Sequence, residues 1–190
     1  MNTQRFILLL GLMFPVALGA AEQLALEYTY DNSHNVSFSG MRGTISVGEF
    51  SDGRDADPAF ITDDSLGDSG NQGGYAADKA ITELVRQAFL EGFQHGEAKL
   101  AEHGQADMAL QGELTRIDAE IVNRGGVDNI QITLRTAVQL VGNGRTIWQT
   151  NLFGRGRVPV EEGVIAAMHG ALNRMVRELV SDNYFTMELQ

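Results

Sequence analysis

The chain has 190 residues, 43% of them apolar, with 25 acidic against 14 basic side chains, a net charge of −11 and no cysteine. That composition suits a packed globular fold, and so negative a surface repels nucleic acid and anionic membrane. The missing cysteine excludes disulfides, thiol nucleophiles, thiolate metal sites and the lipid-acceptor residue of a bacterial lipoprotein.

Residues 1–21 read as a cleavable export signal. Arg5 and the amino terminus supply positive charge, residues 6–14 an apolar core, Pro15 a break, and residues 17–21 the small side chains of a cleavage site, with the cut placed within Gly19–Ala21. The apolar run is too short to anchor the chain across about 30 Å of hydrocarbon. The expected product is a soluble protein of the periplasm or the exterior, one domain over residues 22–190, with neither an integral membrane segment nor a lipid anchor. Loss of Arg5 with the signal makes it one unit more acidic.

Residues 24–30 alternate apolar and polar, the mark of a half-buried strand. Residues 31–34 (Asp-Asn-Ser-His) then predict a turn, and residues 43–50 a second strand. Residues 51–74 lack periodicity, hold six aspartates and are rich in glycine and serine, which predicts a long acidic surface loop. Ala77, Ala80, Ile81, Leu84, Val85, Ala88 and Phe89 recur at helical spacing and predict a helix over residues 75–93, with Gly92 and Gly96 near its end.

A three-stranded meander follows. Met108, Leu110, Gly112 and Leu114 share one face, and the apolar parity then shifts to Ile117, Ala119 and Ile121, so a bulge is expected near Thr115 and Arg116. Gly125-Gly126 turns the chain. Ile130, Ile132, Leu134, Thr136, Val138 and Leu140 form an inward stripe, which leaves Gln131 and Arg135 facing away from the helices. Gly142-Asn143-Gly144 is a hairpin turn, because glycine and asparagine accept positive φ. The returning strand carries Trp148, expected in the core, and ends at Pro159 in the sequence Gly154-Arg155-Gly156-Arg157, read as a solvated strand end. Val164, Met168, Ala171, Leu172, Met175, Val176, Leu179 and Val180 then predict a second amphipathic helix over residues 161–180. The expected fold class is α+β: a two-layer sandwich, with a mixed, mostly antiparallel sheet of four to five strands and two amphipathic helices on one face.

Two blocks carry a family resemblance. One is Phe50-Ser51-Asp52-Gly53-Arg54 leaving a strand, a glycine-rich loop into Tyr75-Ala76-Ala77-Asp78-Lys79, and a helix. The other is Gly112-Glu113-Leu114-Thr115-Arg116-Ile117, then Gly144-Arg145-Thr146-Ile147-Trp148 and a closing helix. Over residues 43–182 the chain resembles the YajG-type envelope proteins of Gram-negative bacteria. More loosely, it is similar to the peptidoglycan-synthase activator lipoproteins and the amino-terminal domain of the Tol-system propeller protein. The resemblance implies a non-enzymatic role in the cell envelope through contact with another envelope protein. The lipid tether of those relatives does not carry over, since the cysteine is absent.

The residues that could carry chemistry point the same way. Asp52, Asp55, Asp57, Asp63, Asp64 and Asp68 lack the alternate spacing and closing glutamate of a calcium loop. His34, His95, His103 and His169 are scattered, without the short spacing of a zinc site. Ser181-Asp182-Asn183 matches one element of the β-lactamase signature, but S-x-x-K and K-T-G are missing. Glu113, Asp118 and Glu120 have no identifiable catalytic partners. No catalytic residue, cofactor or metal site is therefore expected, and the candidate contact residues are Asp52, Arg54, Asp55 and Asp57 in the acidic loop, or the sheet edge. The rival readings are a small-ligand or metal-ion binder using that loop, and a cell-wall hydrolase.

Overall fold

A computed structural model describes residues 20–67 and 72–190. The export signal therefore lies, but for Ala20 and Ala21, outside the described residues, as does Asp68. The elements are β1 (Glu22–Leu24), β2 (Ile45–Asp52), β3 (Phe60–Thr62), β4 (Tyr75–Ala77), α1 (Ile81–His95), β5 (Met108–Arg124), β6 (Val127–Gly142), β7 (Arg145–Pro159), α2 (Gly163–Ser181) and α3 (Asn183–Glu188).

The fold is an α+β sandwich. Its main sheet has four strands in the order β2-β5-β6-β7, with β2 parallel to β5 and the other pairs antiparallel. The β6 stripe is buried throughout, Ile132, Leu134, Thr136 and Leu140 completely, and it meets the apolar face of α2, where Met168, Ala171, Leu172 and Met175 are also completely buried. The bulge falls between Leu114 and Arg116. Both meander turns use positive φ: 61° and 86° at Gly125 and Gly126, 52° and 72° at Asn143 and Gly144. Trp148 is 8% exposed and packs 4.9 Å from the Phe185 ring.

Gly154 and Gly156 are there for packing. A Cβ on Gly154 would fall 2.2 Å from the Ala171 carbonyl oxygen, and one on Gly156 would fall 1.8 Å from that of Ala167. The glycines let the α2 backbone settle on β7, while Arg155 and Arg157 project from the opposite face. Gly92, expected near the end of α1, lies inside it, and a Cβ there would strike Val176 at 2.4 Å. Close approach of α1 and α2 is its purpose.

Four expectations are corrected. The predicted strand over residues 24–30 pairs only as far as Leu24. Leu26, Tyr28 and Tyr30 are buried as the alternation implies, but this stretch bonds to Gln87 and Glu91 of α1 and Asn173 of α2 rather than joining a ladder. Its backbone N–H groups at Leu26 and Tyr30 donate to the carboxylates of Asp78 and Glu91, at 3.0 and 2.6 Å. Helix α1 begins at Ile81 instead of residue 75, because Tyr75–Ala77 is a strand between β1 and β3. The 51–74 stretch is not uniformly loop: Phe60–Thr62 forms β3 and Leu66 is 3% exposed. Gln131 faces away from the helices, yet it is only 7% exposed, held between Glu120 and Arg157.

A second small sheet, β1-β4-β3, and the short helix α3 complete the architecture. Asp182 caps α3 by accepting from the N–H groups of Tyr184 and Phe185 at 2.8 and 3.0 Å. The β-lactamase-like Ser181-Asp182-Asn183 is thus a helix boundary.

Candidate functional site

The four loop residues named from sequence have unlike surroundings. The Arg54 guanidinium donates to both Asp52 carboxylate oxygens, at 2.9 and 2.6 Å, and to the carbonyls of Phe60 (2.7 Å), Pro58 (3.0 Å) and Asp57 (3.4 Å). Its side chain is 8% exposed and that of Asp52 14%. The hydrogen bonds from Arg54 hold the Asp52 carboxyl below the usual carboxylate range. This planar donor fork ties the turn between β2 and β3 together. Asp57 accepts from the Ala59 N–H at 2.8 Å, and Asp55 and Asp57 face solvent. Among the described residues, no group of three or more histidine, aspartate or glutamate side chains could hold a metal ion.

Three of the four histidines make contacts within the fold, while His103 is exposed. His34 Nδ1 accepts from the Val36 N–H (3.2 Å) while its Nε2 sits 2.9 Å from the Gly92 carbonyl, which fixes the neutral tautomer protonated at Nε2. His95 Nε2 lies 3.0 Å from the His34 carbonyl, and the two rings meet at 4.8 Å. Burial pushes His34 below the ordinary histidine value. Burial does the same to His169, whose Nε2 has no hydrogen-bond partner among the described residues and whose ring meets Tyr28 edge-on at 5.6 Å. The Tyr28 hydroxyl donates to Asn173 Oδ1 at 2.6 Å, and burial followed by the Glu91 charge raises it far above the usual phenol value.

The surface that stands out is the face of the main sheet turned away from the helices. There the strand registers assemble rows that no stretch of sequence contains. Gln111, Gln139 and Gln149 are directly opposite one another on β5, β6 and β7. The next row runs Ser51, Glu113, Ala137, Asn151 across all four strands. Together with Glu49 these side chains line a groove of about 840 Å³. Ala137 is its floor, because a lone methyl stands where neighbouring outward positions carry longer chains. Gly53 leaves room at the rim, since a Cβ there would fall 2.1 Å from Glu113 Oε1. At about 4.8 Å per strand the glutamine row spans roughly 10 Å. Of the three, Gln139 also accepts from the Thr146 hydroxyl, at 2.8 Å.

The fold has solved relatives. This chain shares its architecture with a protein of the DUF330 family from Xanthomonas campestris, at a TM-score of 0.63 and 16% identity over 88% of this chain and 97% of that one. Weaker likenesses are to a Chlamydia trachomatis protein (TM-score 0.48, 10% identity, 77% and 99% covered) and to a minor lipoprotein from Acinetobacter baumannii (0.38, 7%, 77% and 94%). At these identities the likeness is one of fold. No family profile matches the chain, and no curated protein matches it in sequence.

Toward the β5–β6 turn the same sheet face changes character. Arg116, Arg135 and Phe153 form one row; Asp118, Thr133 and Arg155 the next; Glu120, Gln131 and Arg157 the third. Arg135 stacks 5.4 Å from the centre of the Phe153 ring, and Arg116 and Arg135 both approach Asp118, at 2.5 and 3.6 Å. Arg155 and Arg157, adjacent in sequence to nothing else basic, thereby join two further arginines. Sequence reading could not find either half of this face, because it depends on which residue of one strand meets which of the next. The period-two polar positions of β5, β6 and β7 were its only signal.

Proposed function

We propose that the chain is a non-catalytic accessory protein of the Gram-negative cell envelope, exported to the periplasm as a soluble protein of the YajG-like kind. It acts by holding another envelope protein against the outer face of its main sheet. The observation that carries this reading is the groove over Ala137. It is walled by carboxamides and two carboxylates drawn from all four strands, on a rigid sheet rather than a loop, and such an array suits recognition of polar backbone and side chains. The export reading of residues 1–21 supports the envelope setting. No helix among the described residues is long and apolar enough to cross a membrane.

The test is to express the chain with its native leader and a photo-crosslinking residue at Gln139. Expected is a soluble periplasmic product beginning within two residues of Ala21 that gives a discrete crosslinked adduct. An uncleaved chain in the membrane pellet, or a cleaved chain without an adduct, contradicts the proposal.

A further inference from the structure

From the chemistry of the groove we infer that its occupant is an extended segment of the partner protein that places a lysine or arginine side chain between Glu49 and Glu113. This deepens the contact reading above and rests on it. Among the described residues, the charged side chains lining the groove are those two carboxylates, and neither a lysine nor an arginine lines it. Two residues along β6 from Ala137, the register partner of Glu113, at roughly 7 Å, the face becomes arginine-bearing at Arg135, whose neighbours in register are Arg116 and Phe153. A cation arriving at this face is drawn to the Glu49–Glu113 side and repelled from the Arg135 side, which fixes where a basic residue sits.

The neutral groups set the form of the occupant. Gln111 and Gln149 each offer one amide oxygen and two N–H donors, and Gln139 its N–H donors beside an oxygen that already accepts from Thr146, the complement of a peptide backbone. Their row of roughly 10 Å matches about three residues of extended chain at about 3.3 Å each. A sugar would be held differently. Sugar rings are commonly received on an aromatic face, whereas the one aromatic residue among the described lining residues, Phe50, is stacked inward on Phe89 at 5.5 Å between ring centres.

Three capped nine-residue Ser/Thr peptides serve as probes, carrying two lysines, two glutamates or two alanines, with chitotriose as the sugar arm. Side-chain amide signals of the full mature chain are followed by NMR at about 50 mM salt. The lysine peptide is expected to shift Gln111, Gln139, Gln149 and Asn151. Glu49→Gln with Glu113→Gln is expected to weaken it by about fivefold or more, the loss of two exposed ion pairs, and Ala137→Arg to abolish it. Circular dichroism checks that both variants stay folded. The inference is overturned if the glutamate or alanine peptide shifts these amides as strongly, or if only chitotriose does. It is equally overturned if the lysine peptide acts elsewhere and ignores Ala137→Arg. A retained Gln139 adduct in cells alongside any of these results would leave the contact reading standing. Loss of the adduct would remove both.

Discussion

Gly156 on β7 lies directly beneath Ala167 of α2, so closely that a Cβ on the glycine would fall 1.8 Å from the Ala167 carbonyl oxygen. The contact is between backbones, and no rotamer change can relieve it. Gly156→Ala is expected to lift α2 off the sheet and cost about 3 kcal/mol, the upper range for overpacking. Arg155→Ala, one residue away on the solvent face, is expected to cost less than about 0.5 kcal/mol. Urea unfolding of the two variants measures the difference, and equal costs would mean that β7 presents the wrong face to α2.

Thr136 sits in the centre of the inward stripe, completely buried, with a hydroxyl that has no hydrogen-bond partner among the described residues. A valine has nearly the same shape and no group to satisfy. Thr136→Val is therefore expected to stabilise the protein by about 1 kcal/mol, the low end of the cost of an unpaired buried hydroxyl. Leu134→Ala, in the same stripe, is expected to lose about 2–5 kcal/mol.

How much of this was legible in the sequence depended on whether the signal was local. The alternation of residues 130–140 named the buried stripe, the parity shift at Leu114 to Ile117 placed the bulge, and Gly-Gly and Asn-Gly placed the turns. Residues 26–30 show the limit of that logic. Their alternation correctly marked Leu26, Tyr28 and Tyr30 as buried, but burial against two helices and burial in a sheet leave the same period-two trace. Strands β3 and β4 have three residues each, too few for any period to appear. The groove was invisible because Gln111, Gln139 and Gln149 meet only through strand register. Six aspartates in one stretch, by contrast, are visible without a fold.

The Arg54 side chain is bonded within its own turn. Four of its interactions run to groups between Asp52 and Phe60 at 3.0 Å or less. Arg54→Ala leaves a half-buried carboxylate and several carbonyls without their donor and is expected to cost about 2–4 kcal/mol. Arg54→Lys supplies a point charge but not the fork, and is expected to recover less than half of that. Thermal unfolding reads both. A loss under about 0.5 kcal/mol in Arg54→Ala would mean that the fork does not hold the turn.

Acid should loosen the region where residues 25–36 meet the helices. His34 and His169 both have folded values below the ordinary 6.5, because burial disfavours the charged ring. Below about pH 6.5 the unfolded chain takes up protons that the folded chain refuses, so stability is complete above that value and falls as pH drops toward the folded values. Asp52, also depressed, adds a further loss only as pH falls below its ordinary 3.8. His169→Phe removes the unpartnered Nε2 while keeping a ring against Tyr28. Melting temperatures from pH 7.5 to 5 should therefore fall less steeply in this variant than in the wild type. Parallel slopes would remove His169 from the account.

The central claim is that the outer sheet face over Ala137 captures a partner. Crosslinking yield from a photoreactive residue at Gln139 tests it most directly, compared in living cells among the wild-type chain, Ala137→Arg and Asp55→Ala/Asp57→Ala. The account predicts one adduct, lost in Ala137→Arg and kept in the double aspartate variant. Adduct that survives Ala137→Arg and disappears with Asp55 and Asp57 would contradict it and move the contact surface to the acidic turn.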